Sequence, residues 1–170
     1  MKNDEHLEII RQGVEIWNTW REKNPEIRPE LFQADLRGLK LQNINLGTSN
    51  LQECKLQFSN LTMANLEGAS LTKAKLQETC LQNSYMKNCD LSGAGMLESN
   101  LQYADLENAN LEGAQFNEDT LFNQTNLKGA NLLSATGLSS AQLNQALTDK
   151  QTQLPDYLEE EMDDDFLLQL

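Results

Sequence analysis

A large apolar residue returns at every fifth position for eighteen consecutive units: Leu31, Leu36, Leu41, Leu46, Leu51, Leu56, Leu61, Leu66, Leu71, Leu76, Leu81, Met86, Leu91, Met96, Leu101, Leu106, Leu111 and Phe116. With only 39% of the chain hydrophobic, such a run lies far outside chance, and a repeat governs the fold. Two residues before each stands a second series, mostly small, that includes Ala34, Ser49, Cys54, Ala64, Ala74, Ser84, Cys89, Ala104 and Ala114. The other three positions are mostly amides, acids, lysine, serine, threonine or glycine. A helix would turn every-fifth residues by about 140° per step and smear the leucines around its surface. A flat strand would send alternate leucines to opposite faces. The chain must therefore turn once per unit, and a closed coil lets every leucine point at one axis.

Two inward positions per unit define a core that includes Leu36, Leu56, Leu66, Leu76, Met86, Met96, Leu106 and Phe116, with Ala64 and Ala104 at the small positions. Segments such as Ala64-Asn65-Leu66-Glu67-Gly68, Ala104-Asp105-Leu106-Glu107-Asn108 and Ala109-Asn110-Leu111-Glu112-Gly113 resemble the A(D/N)LXX motif of the pentapeptide-repeat family. The resemblance implies an all-β solenoid, a right-handed quadrilateral β-helix with four units per coil. Register breaks once: Thr125-Asn126-Leu127 and Ala130-Asn131-Leu132 come one residue late, which puts an extra residue near Asn117–Thr120. It reads as a bulge at a corner or as a loop displaced toward a partner. Counting units predicts about five coils over 31–133.

A β-helix exposes unpaired edges at both ends unless they are covered. Residues 4–23 read as one amphipathic capping helix within 1–30, with Leu7, Ile10, Val14 and Trp17 on one face, Asp4 as N-cap and Pro25 ending the run. Within 134–155 a short helix is expected over Gly137–Leu147, where Ser139 and Gln142 have capping-box spacing. Residues 156–170 read as an acidic tail with seven acids and no base that ends in Phe166, Leu167, Leu168 and Leu170, a composition suited to a solvated, flexible terminus or to a linear docking motif. These flanks resemble those of single-domain bacterial, especially cyanobacterial, members of the family.

Enzyme chemistry finds little support. The chain has one histidine, His6, and three cysteines, Cys54, Cys80 and Cys89, without metal-like spacing. No phosphate loop or nucleophile motif occurs. Acid pairs such as Asp105/Glu107 and Glu118/Asp119 fall at outward positions with nothing to desolvate them. The expectation is a non-enzyme without cofactor or metal. No secretory leader and no run of about 18 apolar residues is read, which points to the cytoplasm.

A net charge of −13 argues against direct nucleic-acid binding and against an anionic membrane. The charge is unevenly spread: residues 31–87 hold four acids and six bases, whereas residues 88–127 hold seven acids and no base. Asp90, Glu98, Asp105, Glu107 and Glu112 therefore form a candidate acidic surface for a protein partner. Met63 and Tyr103, two coils apart in one column, form a candidate apolar one, with Phe58, Tyr85 and Leu97 also facing outward. Phe166, Leu167 and Leu168 are the third candidate. The expected function is a scaffold or regulatory module, a monomer or weak dimer. The alternative implied by the resemblance is a DNA-mimicking modulator of gyrase or another type II topoisomerase, since some members resemble DNA in shape and charge. Others regulate heterocyst differentiation.

Overall fold

The backbone N–H groups of one unit show why five residues close into a coil. The computed structural model describes residues 2–159, and within it the unit Asn50–Cys54 is representative. Asn50 N–H donates to Pro29 O at 2.8 Å, one coil back, and Leu51 N–H donates to Ser70 O at 2.7 Å, one coil on. Glu53 N–H reaches Thr72 O at 2.9 Å, also one coil on, and Cys54 N–H closes the turn on Leu51 O at 3.1 Å. The remaining N–H, that of Gln52, points outward and is taken by Asn50 Oδ1 at 3.3 Å. All five donors are thus accounted for, as a non-solvated backbone requires. Asn or Asp before the leucine is explained by that last bond. The same Asx turn recurs at Asn60, Asn65, Asp90, Asn100, Asp105, Asn110, Asn126 and Asn131.

Each turn demands positive φ at its third residue, as in a type II turn. Fifteen non-glycine residues adopt it, from Gln33 (φ 56°) to Ser134 (φ 57°), including β-branched Thr48 at 60°. Each costs on the order of 1 kcal/mol. The inter-coil bonds and the burial of one large side chain per unit, about 1.5–3 kcal/mol each, offset this.

Parallel bridges join residues 20 apart, Glu30 to Asn50 and on through Ser70, Asp90 and Asn110, so four units make one coil. The four inward columns begin at Leu31, Leu36, Leu41 and Leu46 and define faces one to four. Every residue of the five-residue series from Leu31 to Leu111 is at most 2% exposed, among them Leu36, Leu56, Leu66, Leu76, Met86, Met96 and Leu106, and Phe116 is 4% exposed. Ala64 and Ala104 are buried between them. Three serine hydroxyls at the small position return to the carbonyl of the preceding core residue, Ser59 Oγ to Leu56 O at 2.6 Å, Ser84 Oγ to Leu81 O at 2.7 Å and Ser99 Oγ to Met96 O at 2.8 Å, whereas Thr79 Oγ1 and Thr125 Oγ1 donate one coil back to Leu56 O and Leu101 O, both at 2.8 Å.

The extra residue is Asn117. Bridging changes there from 20 to 21 residues, with Asn100 opposite Leu121, and the turn moves on by one, Thr120 N–H donating to Asn117 O at 3.1 Å. Glu98 N–H, whose ordinary acceptor would be the backbone carbonyl of residue 117, donates to Asn117 Oδ1 instead at 2.9 Å. Its side chain thus stands in for the displaced backbone. Gln142 Nε2 then donates to both Asn117 O and Thr120 O at 2.8 Å. The bulge is pinned inside the structure by these bonds.

The N-terminal cap is two helices where one was expected: α1, Lys2–Arg11, and α2, Val14–Lys23. Gly13, at φ 110°, breaks the run, and because α1 starts at Lys2, Asp4 sits inside its first turn and is not an N-cap. The cap covers the first coil through polar contacts as well as apolar ones. Trp17 is fully buried and donates from Nε1 to Asn45 O at 2.6 Å. Asn18 pairs with the backbone at Asn43 O and Asn45 N, and buried Arg21 donates to Ile27 O and Gly47 O. His6 Nδ1 accepts from Glu30 N–H at 2.9 Å, with its ring 4.9 Å from that of Trp20.

At the other end the coil runs further than expected. Asn126 bridges Leu147 and Asn131 bridges Gln153, so parallel pairing continues past residue 133. The helix here is only Ser140–Leu143 (α3), with Ser139 and Gln142 forming the capping box, because Leu147 has already returned to the ladder. Asp156–Glu159 (α4) was expected to belong to the tail, yet Leu158 is fully buried and Tyr157 Oη bonds Leu138 at 3.1 Å. Acidic composition hid one core leucine.

Gly137 sits where a Cβ would stand 2.0 Å from Phe116 O, at φ 74°. Gly137→Ala should lower stability by about 2 kcal/mol or more, read as a fall in the midpoint of urea unfolding, because backbone has no room to yield.

Candidate interaction surfaces

The sequence-marked acids separate into two groups. Asp90 is partly buried and held in the ladder, accepting from Ser92 N–H at 3.0 Å, Thr72 Oγ1 at 3.0 Å and Asn110 Nδ2 at 3.2 Å. Burial pulls its pKa up, but these bonds together hold it below the usual carboxylate range. Asp105 and Glu107 receive Lys87 Nζ from the coil above, at 3.4 and 2.8 Å. Lys87 raises no flag in the linear count, because it stands just before the acid-rich stretch, yet the 20-residue period places it directly over Glu107. Glu67, Lys87, Glu107 and Lys128 occupy one corner with alternating sign. Glu98 and Glu112 are exposed and form no ion pair among the described residues. The five acids therefore do not make one continuous acidic surface.

Met63 and Tyr103 share the corner that follows the third face, 47% and 56% exposed, with Asn83 between them. The bridge column of that face is Lys40, Asn60, Cys80, Asn100 and Leu121. Below Lys40 neither column carries a charge. Phe58, 61% exposed, lies on the preceding corner, Tyr85 lies on the fourth face, and Leu97 is half-buried. Phe166, Leu167 and Leu168 lie outside the described residues.

A basic hollow went unnoticed in the sequence. Lys55, Lys73 and Lys75 line a depression of about 610 Å3 with Gln33 and Glu53, at the corner between the first and second faces. The three lysines lie 2 to 20 residues apart in sequence, and only when the chain is written at period 20 do they meet. Nearby acids have other partners: Glu53 Oε2 accepts from Gln33 Nε2 at 2.8 Å, and Asp35 is bound by Arg37 at 2.6 and 2.8 Å. The Arg37 guanidinium holds the Asp35 carboxyl down at about 2.

Cys54 and Cys89 are buried packing residues, and Cys80 is half-buried with Sγ 3.2 Å from Thr62 Oγ1. Burial raises the Cys54 thiol to about 12 and pushes Cys89 up as well. Among the described residues, no group of three or more His, Cys, Asp or Glu is placed to hold a metal ion. Nor is any described helix long and apolar enough to cross a membrane.

A parallel solenoid of five-residue units with variable outward columns defines a class of repeat protein that presents surfaces. The model of pentapeptide repeats matches in eight copies over residues 30–62, 49–88 and 80–117, more than half of the chain. The chain belongs to the pentapeptide-repeat family, whose fold is the right-handed quadrilateral β-helix. Among solved structures it is similar to a pentapeptide-repeat protein of the Arabidopsis thaliana thylakoid lumen, with 29% identity, 63% of this chain and 73% of that one covered, and a TM-score of 0.51. It is also similar to a pentapeptide-repeat protein, Rfr23, from the cyanobacterium Cyanothece 51142, with 25% identity, 81% and 99% covered, and a TM-score of 0.52. No curated protein sequence matches.

Two outcomes follow. Iodoacetamide should label Cys80 in the native protein and reach Cys54 and Cys89 only on unfolding, which mass spectrometry of alkylated peptides would show. Asp35, Asp90, Glu107 and Asp149 all titrate below their ordinary values in the folded chain. Their contribution to stability is therefore present above the unfolded carboxylate range and is lost as pH falls from about 4 toward 2. Thermal midpoints measured across that window should fall with pH.

Proposed function

We propose that this chain is a non-enzymatic interaction module that offers the third face of its coil to a protein partner. What supports the reading is the absence of charge on that face below Lys40, in a chain with 26 acidic and 13 basic residues. Covering Asn60, Asn100 and Asn83 leaves no ion to desolvate, and the exposed side chains of Met63, Tyr103 and Leu121 supply apolar area at the same place. Interface centres are depleted in charge and enriched in Tyr and Met for the same reason. A reducing, cytoplasmic setting suits the three free cysteines.

A gyrase-directed DNA mimic is the second reading, favoured by the net charge of −13. Phosphate mimicry needs an unbroken run of negative charge. Alternation of Glu67, Lys87, Glu107 and Lys128, with Lys87 bound to Glu107, weighs against it.

The test is recovery of partners from host lysate by the full chain, by Met63→Lys/Tyr103→Lys, and by a chain ending at Glu159. That end point keeps Leu158 in place, whereas ending at Pro155 would uncover the last coil. Partners kept by the truncated chain and lost by the face variant are the expected result. Partners kept by the face variant and lost on truncation would move binding to the tail around Phe166–Leu168. Inhibition of gyrase supercoiling by the intact chain, unaffected by the face variant, would favour the mimic.

A further inference from the structure

Among the described residues, the third face is the side of this rod on which two copies can meet without bringing acid to acid. Its outward surface is three columns wide, those of Asn60, Thr62 and Met63, stacked coil on coil as Met63 N–H donates to Gln82 O and Tyr103 N–H to Asn123 O, both at 3.0 Å. Below Lys40 none of the three carries a charge. Each of the other faces presents acids, such as Asp90 on the first, Asp35 on the second and Glu107 on the fourth. Two chains of net charge −13 repel one another, and the repulsion is least where the approaching surfaces are neutral.

The exposed apolar residues of this face are spaced for twofold symmetry. Met63 lies one coil above Asn83 and Tyr103 one coil below it, so the two are about 10 Å apart at ~4.8 Å per step. A twofold axis lying across the face at the level of Asn83 runs two rods antiparallel and sets each column on its own copy, inverted. Met63 of one copy then stands opposite Tyr103 of the other, and this happens twice. Cys80, Gln82 and Asn83 meet their twins on the axis, where a carboxamide, being both donor and acceptor, can bond its own kind. Lys40 falls over Leu121 at the edge, with its stem on the leucine and its ammonium in water. A twofold along the rod would instead swap the border columns and place Met63 on Asn60 and Tyr103 on Asn100, apolar against amide.

We propose that the partner of the third face is a second copy of this chain, bound antiparallel about a twofold axis at Asn83 with Met63 against Tyr103 at both ends. The inference names the occupant of the surface proposed above and rests on that reading. Each Met63–Tyr103 pair sets a thioether against an aromatic ring, a favourable contact. Three residues across and five steps tall, the face measures about 10 by 24 Å. That is well below the roughly 800 Å2 per partner of a stable complex, so the association is reversible. Its rim repels: Glu78, exposed on the preceding corner at the level of the axis, faces its own copy. Salt screens that repulsion and strengthens the dimer, the opposite of its effect on an interface held by ion pairs.

Sedimentation of the full chain over rising concentration, at low and at high salt, tests it. Expected is a monomer–dimer equilibrium that shifts toward dimer with salt and with Glu78→Gln, and back toward monomer in Met63→Lys/Tyr103→Lys. Orientation is read by oxidising Met63→Cys and Tyr103→Cys chains, each also carrying Cys80→Ser. A disulfide-linked dimer should form when the two are mixed and not from either alone. A chain that stays monomeric at every concentration and salt, a dimer indifferent to the face variant, or Met63→Cys chains that link to themselves would overturn the inference. Lysate partners lost by the face variant of a chain that is monomeric throughout would overturn it while leaving the proposed function standing.

Discussion

Backbone hydrogen bonds that run along the axis, from each coil to the next, are what everything else in this molecule depends on. Three of every five N–H groups find their acceptor one coil away, as Asn50, Leu51 and Glu53 do. Neither a single unit nor a single coil can satisfy its own backbone, so the fold exists only as a stack. This dependence sets the five-residue period, because a turn must occur before the next donor comes into line. It also explains why positive φ is tolerated at bulky residues such as Phe58 and Tyr103: the coils above and below hold the turn closed whatever side chain stands there. Both ends then need substitutes for the missing coil. Trp17, Asn18 and Arg21 provide them at one end by donating to first-coil carbonyls, and Leu147, Gln153 and Leu158 at the other by extending the ladder and sealing the core.

Columns, not stretches of sequence, are the units in which the surface is written. Residues 20 apart are neighbours, so a run of acids in the sequence is distributed around four faces and a lysine from the previous coil can stand over it. Lys87 shows this on the fourth face, and Lys55 with Lys75 on the second. The inward positions are indifferent to these choices, which leaves the outward columns free to diverge into a neutral face, an alternating corner and a basic hollow on one scaffold.

The leucine columns were legible because burial imposes one chemistry at a fixed period, and the single frame shift located the extra residue to within four positions. What the period does not encode was harder to read. Leu7, Ile10, Val14 and Trp17 keep helical spacing across Gly13, so the amphipathic pattern masks a backbone break that only glycine's conformation reveals. Leu158 follows Pro155 and Asp156 and precedes a run of acids, and composition assigned it to solvent although the last coil needs it. The acidic surface was overread because linear counting separated Asp105 and Glu107 from Lys87, although the 20-residue period already stacks them. That arithmetic, applied to the polar columns as it was to the leucines, would also have found the lysine hollow.

Bonds aligned with the axis have a mechanical consequence. Tension applied between the two ends loads the coil-to-coil contacts in series, so each layer carries the whole force and the weakest opens first. A sheet pulled along its strands shares load across many bonds at once and resists as a block. This rod would instead peel layer by layer from whichever end gives way first, the Trp17 side or the Leu158 side.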